Sequence, residues 1–346
     1  MTTFAYDADG GPSLLGRVLR QREVGVFIAL VVLVAAISIA RPNFLASGNL
    51  FIMSRQIALT AIAAIGVFFV ILTAGIDLSV GSAVGLTGYI CGLAFAAGAP
   101  APVALLAAIG CGALIGAING FVVAYVGVTS FIITLGMLEI CRSTIYTIRH
   151  GDSIRGIPES FVKMFGTGEV LGVSSPVIVL ILLAVVSHIV LNYTAFGRRV
   201  YAIGGNEEAT KLSGINVRRV KFMTYVLCSV CCAVAGILFV AYGREAHADT
   251  GKDLELDAIA AAVIGGTSLM GGQGTVLGVL IGATIMGVVK NGLVLLDVSS
   301  YWQQMVIGII IVAAAIIDVV QNANADNRKA ILRRIAGIFG RSAGAS

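Results

Sequence analysis

The stretch Tyr193–Lys221 decides how the rest of the chain is arranged; it reads YTAFGRRVYAIGGNEEATKLSGINVRRVK. It is the longest interior segment too polar to lie in a membrane, and apolar runs flank it on both sides. Its basic residues outnumber its two glutamates, and they are Arg198, Arg199, Lys211, Arg218, Arg219 and Lys221. Loops rich in arginine and lysine stay on the cytoplasmic side of a membrane. We therefore predict that residues 194–221 form a cytoplasmic loop.

The centre of this loop has the pattern of a short, well-terminated helix. An asparagine can cap the first turn, two glutamates favour the positive end of the helix dipole, and a glycine can close the last turn. Ala209 and Leu212 lie three residues apart on one face, with Ile215 just beyond the end. We expect this small apolar face to contact a cytoplasmic protein. The residues involved are Asn206, Glu207, Glu208, Ala209, Leu212, Gly214 and Ile215.

The composition indicates a membrane protein. Hydrophobic residues make up 58% of the chain and charged residues 12%, whereas soluble domains carry about 25% charged residues. The mean hydropathy is +0.98. The 43 glycines fall mostly inside apolar segments, where small residues let helix backbones approach closely. The predicted fold class is therefore an all-α polytopic membrane protein.

Ten apolar segments are candidate membrane spans, with some of them broken or re-entrant. About 20 apolar residues cross a bilayer as a helix, so the short segment 256–270 either crosses with its partner or enters only part-way. An even number of spans places both termini in the cytoplasm with the central loop. We predict a cytoplasmic segment 1–23, a membrane domain 24–321 and a basic cytoplasmic tail 322–346. The spans are placed at 24–40, 50–73, 79–97, 101–126, 130–148, 174–193, 222–242, 256–270, 275–296 and 303–321.

The chain lacks the motifs of an enzyme or of a motor. It contains no Gly-x-x-x-x-Gly-Lys-Ser/Thr loop for ATP phosphates, so another polypeptide must hydrolyse any ATP that drives it. His150, His188 and His247 stand apart, without the spacing of a metal site or a catalytic triad. The six cysteines lie in apolar segments and are expected to be packing residues. The net charge of +5 is concentrated on one face, which anionic lipid and the membrane potential explain without nucleic acid.

A carboxylate interrupts a long apolar stretch at Thr73-Ala74-Gly75-Ile76-Asp77-Leu78-Ser79-Val80-Gly81-Ser82. We predict that Asp77 caps a helix beginning at Leu78 or Ser79; direct contact with a solute is the alternative. A helix break at membrane depth is tolerated only inside protein or against water. A second break, Gly265–Thr275, loosely resembles the first. Such paired breaks are a weak indication of an internal repeat, because glycine-rich sequence produces similar matches by chance.

Polar residues within the spans are candidates for lining a solute path: Asp77, Ser79, Asn119, Glu139 and Asn291. An ion at membrane depth costs roughly 2.5–3.5 kcal/mol, so it usually faces the bundle interior or a water-filled cavity. Glu139 and Arg142 are three residues apart and are predicted to pair on one helix face. Pairing between helices accounts for such interior groups as well as solute contact does.

Two loops are predicted on the outer side, at Arg149–Val173 and Gly243–Leu256. They are too short to fold as domains, and they offer either a docking rim for a soluble partner or simply solvated charge. A carrier driven by an ion gradient normally needs buried carboxylates for the coupling ion. Only Asp77 and Glu139 are placed for that role, so an ion-driven carrier is the less favoured alternative.

Three motifs carry a resemblance to a known family: Gly75-Ile76-Asp77-Leu78-Ser79-Val80-Gly81, Ala202-Ile203-Gly204-Gly205-Asn206 and Gly265-Gly266-Thr267-Ser268-Leu269-Met270-Gly271-Gly272. In this order they resemble the membrane subunit of bacterial sugar-importing ATP-binding-cassette transporters, of the ribose, xylose and galactose permease type. The likeness extends from about Ile28 to Val320.

The resemblance implies a bacterial inner-membrane permease that works with partners. In that family two permease subunits form the path, two ATP-binding domains attach from the cytoplasm, and an extracytoplasmic binding protein delivers the sugar. The helix in the central loop would be the coupling helix, seating Ala209 and Leu212 in a groove of the ATPase. ATP and magnesium would bind that partner, with no cofactor on this chain. The family also includes importers of autoinducers and nucleosides.

Overall fold

The computed structural model describes residues 22–322, and most of this part of the chain is helical. The predicted segment 1–23 and tail 322–346 lie outside the described residues, apart from residues 22, 23 and 322. The helices longer than one turn, numbered in chain order, are α1 Arg22–Ala40, α2 Ser47–Ile71, α3 Val80–Ala96, α4 Ala101–Phe121, α5 Ser130–Arg149, α6 Ser175–Tyr193, α7 Ala195–Gly205, α8 Glu207–Leu212, α9 Val217–Gly243, α10 Leu254–Ile264, α11 Val276–Leu295 and α12 Ser300–Asn322.

Shorter elements connect these helices. A 3-10 turn, Pro42–Leu45, joins α1 to α2, and a π-helical turn, Val122–Val126, extends α4. Between α5 and α6 lie a single helical turn, a second π-helical turn and a two-stranded hairpin. In that hairpin β1, Glu169–Val170, pairs antiparallel with β2, Val173–Ser174.

The predicted all-α polytopic fold is confirmed. Within residues 22–322, eight helices are long and apolar enough to cross a membrane, and α3 is a slightly shorter apolar helix of 17 residues. Together with α10, these helices occupy all ten predicted span positions. That every one of them crosses the bilayer stays a prediction.

Helix α9 lies at the centre of the bundle and packs against α2, α3 and α4. It approaches α4 closely because glycines face it there. A Cβ added at Gly112 or Gly116 would lie 2.5 Å from the backbone carbonyl oxygen of Ser229 or Tyr225, respectively. This contact supports the expectation that glycines serve helix packing in this chain.

The central segment 194–221 is more helical than predicted. Helix α7 occupies residues that were expected to be loop, because the Thr194 hydroxyl caps it by accepting from the Gly197 N–H at 3.2 Å. Helix α9 begins at Val217 rather than near residue 222, because the Asn216 side chain caps it by accepting from the Arg219 N–H at 3.0 Å. The last basic residues of the predicted loop therefore lie on the first turns of a long helix.

The sequence predicted that residues 243–256 form a loop on the outer side. In the structure, the segment 244–253 instead runs along α3 into the bundle. Near its start it packs on Gly92, where an added Cβ would lie 2.6 Å from the Cβ of Ala246. Near its end it packs on Gly81, where an added Cβ would lie 2.3 Å from the Gly251 carbonyl oxygen. Gly81 and Gly92 are about 16 Å apart along a helix. The segment therefore descends through about half the depth of a bilayer.

Helix α10 consequently starts inside the bundle. Its 11 residues make a helix about 16 Å long, which is too short for a hydrocarbon core of about 30 Å. The chain returns to α11 through the glycine-rich break 265–275. The part-way alternative predicted for residues 256–270 therefore fits the structure.

Candidate functional site

Helix α8 has the terminal contacts that the sequence predicted. The Asn206 side chain caps it by accepting from the Ala209 N–H at 2.9 Å, and Glu207 and Glu208 lie in its first turn. At the other end Gly214 has a φ of +79°, and its N–H donates to the Lys211 carbonyl at 3.0 Å. The helix is short, but both of its ends are stabilised.

One face of α8 points away from the rest of the chain. Leu212 is 87% exposed, while Thr210 on the opposite face is buried. Ala209 is also exposed, and Ile215 is half-buried. An ion pair of 2.6 Å joins Glu207 to Lys221 of α9. The helix therefore presents a free apolar surface while its other side is attached to the bundle.

Three separate segments meet beside α8, and we call this contact the glycine junction. It consists of 72–74 at the end of α2, 204–205 at the end of α7 and 271–272 in the second break. The Gly272 N–H donates to the Leu72 carbonyl at 3.0 Å. A Cβ added at Gly204 would lie 2.0 Å from that carbonyl oxygen and 2.1 Å from the Gly272 nitrogen. Two of the motifs that carry the sequence resemblance, at 202–206 and 265–272, thus pack on each other and on the residues that immediately precede the third motif.

A tyrosine reinforces the glycine junction from α7. The Tyr201 hydroxyl donates to the Gly274 carbonyl at 2.9 Å. Burial raises the pKa of Tyr201, so its phenol stays protonated and keeps donating at physiological pH. Asn206 alone separates α7 from α8. A displacement of α8 would therefore be transmitted through α7 to both breaks.

A cavity of about 620 Å³ lies between α8 and the first break. Its walls include Thr73 and Gly75 from the break, Lys211 from α8, and Lys221 and Tyr225 from α9. We call this end of the bundle the basic end, because the arginines of the central segment lie there too. The charge rule assigns it to the cytoplasm. The opposite end is called the outer end.

Three of the predicted path residues form one buried chain of hydrogen bonds. The Asn119 amide donates to the Ser79 hydroxyl at 3.0 Å, and that hydroxyl donates to an Asp77 carboxylate oxygen at 2.6 Å. The Ser79 N–H donates to the same oxygen at 2.9 Å. All three side chains are fully buried. These hydrogen bonds connect the first break to α4.

The prediction that Asp77 caps a helix starting at Leu78 or Ser79 was wrong. Helix α3 begins at Val80, and its first turn receives no side-chain cap. Asp77 instead bonds Ser79 within the break, because a carboxylate two residues before an N–H readily closes a local turn. Asp77 therefore still has a local structural role, but it stabilises the break that precedes α3 rather than the first turn of the helix.

The remaining path candidates lie elsewhere. Glu139 is exposed, and the predicted pair between it and Arg142 is absent from the ion pairs among residues 22–322. Arg142 instead donates to the backbone carbonyls of Ala248 and Thr250, at 2.9 and 3.0 Å. Some carbonyls of the descending segment 244–253 accept backbone N–H groups, and this arginine satisfies those of Ala248 and Thr250.

Asn291 lies at a groove that opens toward the outer end, and it pairs with Asn49 through two amide hydrogen bonds of 2.8 and 2.9 Å. Beside this pair, Lys290 of α11 forms an ion pair with Asp257 of α10. We call the cavity the outer groove; it has a volume of about 780 Å³. Its walls are α2, α9, α10, α11, the start of α12 and the segment 244–253. Within residues 22–322, no cluster of three or more His, Cys, Asp or Glu side chains is placed to hold a metal ion.

The polar groups of the outer groove that sequence reasoning missed include Asn49, Gln56, Thr60 and Asp257. Gln56 and Thr60 are isolated polar residues in the apolar helix α2, and their spacing of four residues puts them on one helix face. That spacing was the available signal. Asp257 gave none, because its partner Lys290 is remote in sequence.

Comparison with known proteins agrees with this architecture. The family described as "Branched-chain amino acid transport system / permease component" matches residues 49–315. The ribose import permease protein RbsC of Escherichia coli (strain K12) is 44% identical over 294 residues, which is 84% of this chain and 92% of the relative. RbsC of Bacillus subtilis (strain 168) is 40% identical over 298 residues, 86% of this chain and 92% of the relative.

A further relative differs in the sugar that it is named for. The D-allose transport system permease protein AlsC of Escherichia coli (strain K12) is 36% identical over 298 residues, 86% of this chain and 91% of the relative. No solved structure matches the chain. The matched region includes the glycine junction and α8, together with nearly all of the membrane helices. The chain therefore belongs to the family of permease subunits of sugar-importing ATP-binding-cassette transporters, and it is a multi-pass membrane protein.

Proposed function

We propose that the chain translocates a monosaccharide, either a ribose-like pentose or a hexose, across the bacterial inner membrane. An extracytoplasmic binding protein delivers the sugar, and a separate ATPase that binds ATP and magnesium drives transport. The relatives named for ribose and D-allose support the solute class. The observation that carries the proposal is helix α8, which is stabilised at both ends and exposes Leu212 to a partner.

The geometry suggests how the ATPase would act on the bundle. Leu212 and Ala209 insert into a groove of the ATPase, so that closure of the ATPase displaces α8. Because only Asn206 separates α8 from α7, the displacement reaches the glycine junction. There it acts on the ends of both breaks at once, through the contacts of Gly204 with Leu72 and Gly272. The helices that follow the breaks, α3 and α11, then tilt together.

A second permease subunit, identical in our proposal, completes the path. The ion pairs at membrane depth are few, so the path is suited to a neutral, hydroxylated solute. Weak contacts suffice because the binding protein selects the sugar before it reaches the membrane. Tight binding within the permease would slow its release.

The test compares two substitutions of the same kind at opposite ends of the bundle. Leu212→Asp places a charge on the proposed docking face and should abolish both ATPase co-purification and uptake of labelled D-ribose, while leaving the amount of inserted protein unchanged. The control is Leu171→Asp, at a residue that is 99% exposed between β1 and β2. It should leave ATPase co-purification and the amount of inserted protein unchanged.

Two outcomes would overturn the proposal. Normal co-purification and uptake by the Leu212→Asp variant would remove α8 as the docking element. Uptake driven by an ion gradient in vesicles that contain this chain and no ATPase would identify a secondary carrier instead.

A further inference from the structure

The outer groove places polar side chains where a lone helix bundle would meet lipid. Gln56 is exposed and Thr60 half-buried, on one face of α2. Thr60 lies about 20 Å along α2 from the outer end. Neither side chain forms a hydrogen bond with any other residue between 22 and 322. Polar groups with no partner are costly in hydrocarbon, which favours contact of this face with water, a polar solute or a polar group of another subunit rather than with lipid.

The facing wall supplies donors that are already oriented. The Asp257 carboxylate side chain is 6% exposed, whereas Lys290 is 41% exposed. The ammonium group has three donors, and the ion pair uses one of them. The buried carboxylate therefore holds the Lys290 side chain at the wall of the cavity, where its remaining N–H groups are available to a solute.

The side-chain amides of Asn49 and Asn291 also provide a fixed donor at the wall of the outer groove. The Asn49 and Asn291 side chains exchange two hydrogen bonds, and Asn49 also donates to the Phe44 carbonyl at 2.8 Å. The second amide hydrogen of Asn291 is left for a solute. Phe239 and Tyr242 of α9 add ring surface to the cavity. Fixed amides, a cation and aromatic rings together suit an uncharged molecule with many hydroxyl groups and an apolar C–H face.

We propose that the outer groove is the outer half of the sugar path, and that Gln56, Thr60, Lys290 and Asn291 bind hydroxyl groups of the passing monosaccharide. This assignment rests on the proposed function for its solute. The outer groove has a volume of about 780 Å³, which is enough for a monosaccharide together with water. Each contact is a single hydrogen bond to a neutral solute, which keeps binding weak and release fast.

Water access to the groove can be tested without any transport assay. Thr60→Cys should react with a membrane-impermeant thiol reagent added to intact cells, because a thiol reacts as its thiolate, which forms in water and not in lipid. The matched control is Leu114→Cys. Leu114 lies equally far along α4 from the outer end, is exposed and faces away from the groove. It should stay unlabelled, as should the native cysteines, five of which are buried and one half-buried.

The sugar contact is tested by uptake of labelled D-ribose in the complete transporter. Gln56→Leu keeps the size of the side chain and removes its hydrogen bonds, so uptake should fall about tenfold. The amount of inserted protein and the co-purified ATPase should not change. Gln56→Asn, which keeps the amide, should retain more uptake than Gln56→Leu. Leu114→Cys should transport normally.

The two proposals fail in different ways. If the parent protein transports D-ribose while Thr60→Cys resists labelling and Gln56→Leu transports normally, the groove is not the path, although the function stands. If Thr60→Cys labels like Leu114→Cys, the groove has no special access to water and the assignment is wrong. If Thr60→Cys labels selectively but the complete transporter moves no pentose or hexose, the groove is a water-filled path and the proposed solute is wrong.

Discussion

The Gly272 N–H donates to the Leu72 carbonyl at 3.0 Å, which joins two breaks that are 200 residues apart in the sequence. Gly204 lies against both groups, so the end of α7 closes the contact. The arrangement couples the element proposed to dock the ATPase to the points where two membrane helices are interrupted. It gives Gly204, Gly271 and Gly272 a physical reason that no motif alone supplies.

The first prediction concerns Gly204. An added Cβ would overlap backbone atoms of both Leu72 and Gly272, and overpacking of this kind typically costs about 1–3 kcal/mol. Gly204→Ala should therefore lower the thermal unfolding temperature of the detergent-purified protein and reduce uptake. Gly205→Ala is the matched control, since a Cβ there would meet nothing within 4 Å. Equal stability of the two variants would contradict the role given to the glycine junction.

The second prediction concerns the descending segment. A Cβ added at Gly85 would lie 2.5 Å from the Thr250 carbonyl oxygen, whereas one at Gly110 would meet nothing. Gly85→Ala should push residues 244–253 away from α3. In an Ala248→Cys background, whose native side chain is buried, the thiol should label faster when Gly85→Ala is added. Gly110→Ala should leave the labelling rate unchanged; a rate that rises with neither variant would mean that the segment does not depend on this glycine.

The third prediction concerns the buried carboxylate. Asp77→Asn keeps the oxygen that accepts from the Ser79 N–H and hydroxyl, so stability should change little. Asp77→Ala removes that acceptor inside the protein and should lower the free energy of unfolding by about 2 kcal/mol. Thermal unfolding in detergent measures both. If the two variants are equally stable, the hydrogen bonds of Asp77 do not order the break.

The fourth prediction concerns the cap of α8. Asn206→Ala removes the acceptor for the Ala209 N–H, and the loss of such a cap costs about 1 kcal/mol. Backbone amides of α8 should then exchange hydrogen faster, and less ATPase should co-purify. Asn206→Asp keeps a capping oxygen and should retain both properties. Slower exchange, or unchanged exchange, in the alanine variant would show that the cap does not hold α8.

The sequence predicted those features that depend on local chemistry. The all-α fold, the position of each apolar segment and both ends of α8 follow from composition, charge and capping residues that are close neighbours. It did not predict that α7 is a helix, although Thr194 was a readable cap. The sequence did not predict features that depend on contacts between residues far apart in the chain. Arg142 was assigned to Glu139 because the two are three residues apart, whereas its partners are carbonyls more than 100 residues away.

The same difference applies to the candidate site, of which one part was predicted from the sequence and the other was not. Asp77, Ser79 and Asn119 were chosen as polar residues at membrane depth, and the structure brings them together. The outer groove needed the packing of α2 against α10 and α11 before its members could be recognised. Asp257 reads as an ordinary residue near the start of a helix until Lys290 lies beside it.

The short helix α10 has a consequence for biosynthesis. A segment of 11 residues is too brief for the insertion machinery to release into lipid on its own hydrophobicity, since a free span needs about 20. It reaches its depth only by packing on α2, which is synthesised earlier, and on α11 and α12, which are synthesised later. Its final placement must therefore wait for helices that are synthesised after it. For α10, membrane entry and tertiary folding are therefore one event.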